Sequence, residues 1–154
     1  MLLYLVRHAD ALSDDEDPAR RLSEKGIQRI KKVASYMAEL NIEVNRIFHS
    51  KKLRTMQTAQ VLTEYIKIEG GISETDGLAP MDDPQIWFER ISEMKEDIML
   101  VGHLPFLGRL AAFILCGDKE KNIVDFKTAG IVCLRRFEDN WLIEWMITPE
   151  ICTI

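Results

Sequence analysis

The stretch Leu2-Leu3-Tyr4-Leu5-Val6-Arg7-His8-Ala9-Asp10 decides the fold and also indicates where function lies. Its first five residues are leucine, tyrosine and valine, which predict a short buried β-strand. The chain then changes abruptly to a cation, an imidazole, a small residue and a carboxylate. Ligands bind at the carboxyl ends of the strands of an open α/β sheet, so Arg7 and His8 are expected to face a crevice.

A second buried strand at residues 97–101 ends in the same way. It runs directly into Gly102 and His103, so two of the chain's three histidines follow buried strands. Because the carboxyl ends of parallel strands meet at one rim of a sheet, His8 and His103 are expected to lie close together.

The rest of the chain alternates between helical and extended patterns. Helices are predicted from the N-cap Ser23 to Leu40, from about Lys52, from the cap Asp83, and from Pro105 to Gly117. Further strands are predicted at residues 46–48 and 72–74, and a β-hairpin at residues 131–137 and 141–147. This order predicts one α/β domain over residues 1–154, with three α/β/α layers. Its sheet should be mostly parallel, with the C-terminal antiparallel hairpin at the edge.

Composition limits the classes of function. The chain has 154 residues, of which 47% are hydrophobic and 29% charged, as expected for an ordinary globular protein. Its net charge of -5 disfavours nucleic-acid binding. Basic residues cluster only locally, at Arg20 and Arg21 and at residues 51–54, which suits a small anion.

The cysteines and the hydropathy indicate a compartment. Cys116, Cys133 and Cys152 are odd in number and far apart, and we expect them to be small buried residues in a reducing environment. The apolar run at residues 2–6 is too short for a signal sequence, and no run approaches membrane-spanning length. A cytoplasmic location without membrane association is therefore expected.

Cationic side chains are predicted to converge on the rim that carries the two histidines. Arg54 falls in the first turn of the helix after the second strand, and His103 precedes a helix N-terminus, which favours anions. Arginine suits phosphate because its planar guanidinium donates two parallel hydrogen bonds. The pattern predicts a receptor for a phosphate-like oxyanion.

Three blocks of sequence resemble the motifs of the histidine phosphatase superfamily. They are Arg7-His8, Ser50-x-x-x-Arg54-Thr55-x-Gln57-Thr58-Ala59 and Gly102-His103. Other residues resemble the compact SixA-like branch, whose members are protein phosphohistidine phosphatases: Arg20-x-Leu22-Ser23-x-x-Gly26, His103-Leu104-Pro105 and Trp145-x-x-x-Pro149. Two departures are Ala9, where the superfamily usually has glycine, and His49, which we expect at the rim or half-buried.

The resemblance implies roles for individual residues. His8 would be the nucleophile that forms a phosphohistidine intermediate, without metal or cofactor. Arg7, Arg54 and His103 would hold the phosphoryl oxygens in the transition state. Arg20, Ser50 and Leu104 would contribute to substrate binding. The substrate would be a phosphoprotein, for example the histidine domain of a phosphorelay, and the enzyme a monomer.

The general acid is left open by the sequence. Asp10, Glu74, Asp76, Asp82 and Asp83 are candidates, and no pattern selects one of them. A weak acid would favour phosphohistidine over phosphoserine, because imidazole departs more readily than an alkoxide.

Three other functions are compatible with parts of this pattern. A small-molecule phosphomonoesterase would use the same residues, although a short chain leaves little room for specificity loops. A non-catalytic phosphate-binding module would need Arg7 and Arg54 but not His8. A metal site at His8, Asp10 and His103 is disfavoured because the flanking arginines repel a cation.

Overall fold

The computed structural model of the protein describes residues 1–152, which form eight strands, four α-helices and a short 3-10 helix at Pro149–Ile151. The strands are β1 (Leu2–Arg7), β2 (Glu43–Val44), β3 (Arg46–His49), β4 (Lys67–Ile68), β5 (Ile72–Glu74), β6 (Ile98–Gly102), β7 (Ile131–Phe137) and β8 (Asn140–Ile147). The helices are α1 (Glu24–Glu39), α2 (Leu53–Thr63), α3 (Pro84–Ser92) and α4 (Phe106–Cys116). None of these helices is long and apolar enough to cross a membrane.

A six-stranded sheet in the order β5-β3-β6-β1-β7-β8 forms the centre of the protein. The first four strands of this order are parallel, and β7 and β8 form an antiparallel hairpin that pairs with β1. The predicted mixed sheet with a C-terminal hairpin at its edge is therefore confirmed. β1 and β6, which precede the two histidines, are neighbours at the centre.

The alternation of side chains along β1 divides the core into two layers. Tyr4 and Val6 belong to the cluster that packs against α1 and α2. Leu3 and Leu5 belong to the cluster on the other face, formed with α3 and α4. Successive residues of a strand point to opposite faces, so this buried strand contributes to both clusters. The predicted three-layer α/β/α arrangement is confirmed.

Helix boundaries follow the predicted caps closely. The Ser23 hydroxyl accepts a hydrogen bond from the Gly26 N–H, and the Asp83 carboxylate accepts one from the Gln85 N–H. Gly117 ends α4 with φ +70°, a left-handed conformation that glycine adopts without strain.

Four details differ from the sequence-based expectation. The parallel pair β2–β4 was not predicted, because strands of two residues are too short to show periodicity. The sequence predicts Ile66 on the inner face of the helix that begins near Lys52, but α2 ends at Thr63 and the buried Ile66 lies beyond it. β6 extends to Gly102. Cys116 is exposed at the last residue of α4, whereas Cys133 and Cys152 are buried as expected.

Candidate active site

Three loops meet at the carboxyl end of β6. Arg7 pairs in register with Gly102, and the His8 N–H donates to the Gly102 carbonyl at 3.0 Å. The Ser50 N–H, just after β3, donates to the Val101 carbonyl at 3.3 Å. The sheet itself therefore brings together the loops that carry His8, Ser50 and His103. The rings of His8 and His103 lie 5.2 Å apart between centroids, which confirms that they share one rim.

The orientation of the His8 ring is fixed by its own loop. His8 Nδ1 lies 2.7 Å from the carbonyl oxygen of Ala9. A carbonyl can only accept a hydrogen bond, so Nδ1 carries the proton and Nε2 carries the lone pair. A neutral imidazole with a bare Nε2 is the form of histidine that can act as a nucleophile.

Ala9 is held in place by the helix that carries Arg54. The Ala9 N–H donates to Thr58 Oγ1 at 3.0 Å, and the Thr58 hydroxyl donates to the Arg54 carbonyl at 2.7 Å. Ala9 is fully buried, so its methyl group fits where the superfamily usually has glycine. Thr58 lies within the motif that begins at Ser50, but the sequence did not reveal that its hydroxyl binds Ala9, the residue whose carbonyl orients the His8 ring.

The surroundings of His8 keep its ring neutral. Burial is the largest influence that lowers its pKa, and the charges of Arg54, Arg7 and Arg20 lower it further, to about 4. The hydrogen bond to Ala9 acts in the opposite direction but does not offset them. His8 is therefore uncharged at neutral pH.

Arg7 and Arg54, whose charges both act on His8, each have a buried donor without a partner among the described residues. Arg7 Nη1 donates to the carbonyl of Phe126 at 2.8 Å. The Nε atoms of both arginines are buried, and neither has a hydrogen-bond partner among residues 1–152. An unpaired buried donor is costly, so it indicates a site for an acceptor that is not part of the protein. Two such cationic donors beside two histidines suit an oxyanion.

His103 is the most deeply buried of these side chains, with 1% of its surface exposed. Its Nε2 lies 2.7 Å from the Ser50 hydroxyl, while its Nδ1 is buried without a partner in the described part of the chain. Burial first, and then the charges of His8, Arg54, Lys52 and Arg20, lower its pKa to about 3.

The three residues predicted to bind substrate differ in position. Arg20 is 37% exposed, and its Nε donates to the Leu12 carbonyl at 3.0 Å. The positive charge of Arg20 nevertheless contributes to lowering the pKa values of His8 and His103.

Leu104 follows His103 and lines a cavity of about 400 Å³ between α4 and residues 119–126. Ser50 is buried, and its hydroxyl contacts His103, Thr55 and the Lys52 N–H.

Four of the five candidate acids have partners within the protein. Asp10 binds Arg29 at 3.0 Å, and Asp83 caps α3. Asp76 binds Arg90 at 2.9 Å, and this contact holds the pKa of the Asp76 carboxyl below its usual value. The Asp82 carboxylate accepts a hydrogen bond from the Ala79 N–H at 2.8 Å.

The fifth candidate acid, Glu74, is exposed at the end of β5, in register with His49. His49 is the last residue of β3, so it lies at the rim as expected, but it is buried rather than half-buried, with 4% of its surface exposed. Its Nδ1 lies 2.8 Å from the Ser50 carbonyl, which explains its inward orientation.

Within residues 1–152, no three histidine, cysteine, aspartate or glutamate side chains are grouped closely enough to hold a metal ion. The polar groups that meet at the rim are instead two arginines and two neutral histidines. Side chains of this kind suit a phosphate-like oxyanion.

Comparisons with known proteins agree with this fold. The family model of the histidine phosphatase superfamily (branch 1) matches residues 3–82. An uncharacterized protein from Picosynechococcus sp. strain PCC 7002 is 34% identical over 142 residues, covering 88% of this chain and 85% of that protein. The phosphohistidine phosphatase SixA of Escherichia coli K12 is 23% identical, with 97% of this chain and 94% of SixA covered.

A solved structure of SixA complexed with tungstate has the same fold. Its TM-score is 0.85 at 24% identity, with 97% of each chain covered. The chain belongs to the histidine phosphatase superfamily, branch 1. The resemblance to the compact SixA-like branch is confirmed, because these similarities extend over nearly the whole chain.

Proposed function

We propose that this protein is a phosphatase that removes the phosphoryl group from phosphohistidine on a protein substrate. His8 Nε2 attacks phosphorus, the substrate imidazole departs, and water then hydrolyses the phosphoryl group from His8. The observation that carries this proposal is the hydrogen bond from His8 Nδ1 to the Ala9 carbonyl at 2.7 Å. It leaves Nε2 unprotonated, and the low pKa of His8 keeps the ring neutral at physiological pH.

The remaining groups of the site stabilise charge on the transferring phosphoryl group. Arg7 and Arg54 are always protonated, and their buried Nε donors have no partner within the described residues. In the loose transition state of phosphoryl transfer, negative charge is spread over the equatorial oxygens, so fixed donors there contribute most to the rate.

The state of the candidate acids favours an imidazole leaving group. Asp10 and Asp76 are ion-paired with arginines, and Asp83 caps a helix. The pKa of the Asp76 carboxyl is held below its usual value, which makes Asp76 a poor proton donor. Imidazole has a pKa of about 6.5 and departs after protonation by solvent or a weak donor, whereas an alkoxide requires a strong acid. The similarity to SixA, a phosphohistidine phosphatase, supports the same substrate class.

The test compares two peptides of the same sequence at one pH, one carrying phosphohistidine and the other phosphoserine. We expect kcat/KM to be higher for phosphohistidine by more than about a hundredfold, because the leaving groups differ by several pKa units. Rapid acid-free quenching should capture a phosphoryl group on His8 of the wild type. His8→Ala, which keeps both arginines, should lose turnover and the covalent label while retaining its fold.

A second candidate function is hydrolysis of a small phosphomonoester. The observation that favours it is a cavity of about 410 Å³ beside Ser50, which is lined by Lys52, Asp76 and Asp82 among others. This volume lies within the range of small-molecule pockets. Comparable kcat/KM values for the two peptides would favour this candidate, because they would mean that a carboxylate near the cavity acts as a strong acid.

A further inference from the structure

A chain of short hydrogen bonds leads away from His103 into the protein. His103 Nε2 lies 2.7 Å from Ser50 Oγ, and Ser50 Oγ lies 2.8 Å from Thr55 Oγ1. Thr55 Oγ1 in turn lies 2.7 Å from the Lys52 carbonyl and 3.0 Å from the Ser50 carbonyl. Ser50 and Thr55 are 2% and 0% exposed, so solvent does not compete for these contacts.

Each hydroxyl has only one proton, and this fixes the direction of every bond in the chain. A carbonyl can only accept, so the Thr55 hydroxyl donates to one of the two carbonyls. The Ser50 hydroxyl must then donate to Thr55, since the Thr55 proton is already used. The proton between Ser50 and His103 therefore belongs to His103 Nε2, and Ser50 Oγ accepts it. Ser50 Oγ also accepts a second hydrogen bond, from the Lys52 N–H at 3.3 Å.

We propose that Ser50 and Thr55 are positioning residues that hold the proton of neutral His103 on Nε2 and leave Nδ1 bare. The other two histidines have the opposite arrangement. His8 Nδ1 and His49 Nδ1 each contact a backbone carbonyl, so in both rings Nδ1 carries the proton. This proposal differs from the prediction that Ser50 binds substrate, because all the hydrogen bonds of its hydroxyl are made within the protein.

The bare Nδ1 of His103 has a consequence for anion binding. A lone pair facing a phosphoryl oxygen repels it, whereas a protonated Nδ1 donates a charge-assisted hydrogen bond. Nε2 cannot give up its proton without breaking the chain to Ser50. An oxyanion that contacts Nδ1 therefore binds together with one proton from solvent, and His103 becomes an imidazolium.

The neighbours of His103 explain why this proton is absent before the anion binds. The groups that act on its charge are His8 at the end of β1, Arg54 in α2, Lys52 before α2, and Arg20 in the loop before α1. All three of the permanently charged groups are cations, so they oppose a further positive charge. A dianion changes that balance, because it brings two negative charges into contact with the ring.

The inference rests on the proposed function only in assigning the anion to a phosphoryl group. It is tested by binding and spectroscopy, without turnover. If phosphohistidine is not hydrolysed but the tautomer and the proton uptake are as described, the proposed function fails and the inference stands. If the tautomer is the opposite one, the inference fails whatever the substrate.

The first experiment is ¹⁵N NMR of the full chain labelled at histidine, near pH 7.5 and without ligand. Protonated and bare ring nitrogens have distinct shifts, and His8→Asn and His49→Asn assign the three rings. We expect protonated Nε2 for His103 and protonated Nδ1 for His8 and His49. Protonated Nδ1 in His103 would overturn the proposal.

The second experiment measures proton uptake when tungstate, a tetrahedral dianion, binds. His8→Ala is the background, so that the nucleophile cannot take up a proton itself. Calorimetry near pH 7 in buffers of different ionisation enthalpy should detect net proton uptake on binding, and Kd should rise with pH until the bound His103 loses its proton. An uptake near zero would overturn the proposal.

Two substitutions at Thr55 show whether the chain to Ser50 is responsible. Thr55→Val has nearly the same shape but no hydroxyl, so the Ser50 proton becomes free to bond His103 Nε2. We expect the His103 proton to move to Nδ1 and the uptake to fall to about zero. Thr55→Ser keeps the hydroxyl and should retain both properties. If a folded Thr55→Val protein keeps the wild-type His103 tautomer and proton uptake, Thr55 does not have the proposed role. If Thr55→Val does not fold, Ser50→Ala, which removes the hydroxyl that contacts His103, is measured in its place.

Discussion

Arg29 Nε donates a hydrogen bond to Asp10 Oδ1 at 3.0 Å, and this contact gives the carboxylate nearest to His8 in sequence a structural role. Arg29 lies in α1, and both side chains are about four-fifths buried. The backbone carbonyl of Asp10 also accepts hydrogen bonds from the N–H and hydroxyl of Ser23, the N-cap of α1. The loop that carries His8 is thus attached to the start of α1 through Asp10.

Asp10→Asn should therefore lower stability more than it alters the chemistry. The substitution removes a partly buried charged hydrogen bond, and we expect the free energy of unfolding to fall by about 1–3 kcal/mol. If Asp10 has only this structural role, the pH profile of kcat should be unchanged. Asp15→Asn, in the exposed acidic loop that follows, is the matched control and should change neither property. Loss of one limb of the pH profile in Asp10→Asn would instead identify Asp10 as the general acid.

Gly26 allows α1 to approach the same loop. A Cβ at this position would lie 2.0 Å from the Asp10 carbonyl oxygen, which is backbone and cannot move aside cheaply. Gly26→Ala should lower the free energy of unfolding by about 1–3 kcal/mol and reduce kcat through displacement of the His8 loop. Gly108→Ala in α4 is the control, since its Cβ would meet only Leu104 Cδ2 at 4.0 Å. It should be neutral or stabilise by about 1 kcal/mol.

The sequence predicted the central fold because the physical signals there are local. Leu3 and Tyr4 face opposite sides of the sheet as their alternation requires, and Ser23 and Asp83 cap the helices as predicted. His8 and His103 lie at one rim because parallel strands end on the same side.

Other features of the site depend on contacts between distant parts of the chain. The Arg7 guanidinium is held by the Phe126 carbonyl, 119 residues away, in a segment without helical or strand periodicity. Thr58 binds Ala9 across 49 residues. Both threonines of the second motif were visible in the sequence, but only the structure shows which atoms they contact.

The low pKa values of His8 and His103 make stability depend on pH. Both rings are neutral in the native state, with pKa values of about 4 and about 3, whereas an unfolded histidine titrates near pH 6.5. Below about pH 6.5 the unfolded chain therefore binds protons that the native protein does not, so stability decreases as the pH falls. Each histidine should contribute up to about 1.4 kcal/mol per pH unit.

Urea unfolding between pH 7 and 5 measures this dependence. His8→Asn is the informative variant, because its amide can still donate to the Ala9 carbonyl but does not titrate. The slope of the unfolding free energy against pH should be smaller in His8→Asn than in the wild type, by the contribution of one histidine. Equal slopes in the two proteins would show that His8 does not stay neutral in the folded state.

Arg54 should be required for the transition state but not for folding. Its Nε is buried without a partner in residues 1–152, so Arg54→Ala removes no intramolecular hydrogen bond of that atom. If Arg54 stabilises the transferring phosphoryl group as a fixed donor, Arg54→Ala should lower kcat/KM by about a hundredfold to a thousandfold. Arg21→Ala is the control, since Arg21 is 57% exposed and pairs with Asp17 at 3.2 Å. It should change kcat/KM by less than about twofold, because an exposed ion pair contributes little. Equal activities of the two variants would mean that the positive charge near the rim acts only at long range, and that Arg54 does not contact the phosphoryl oxygens.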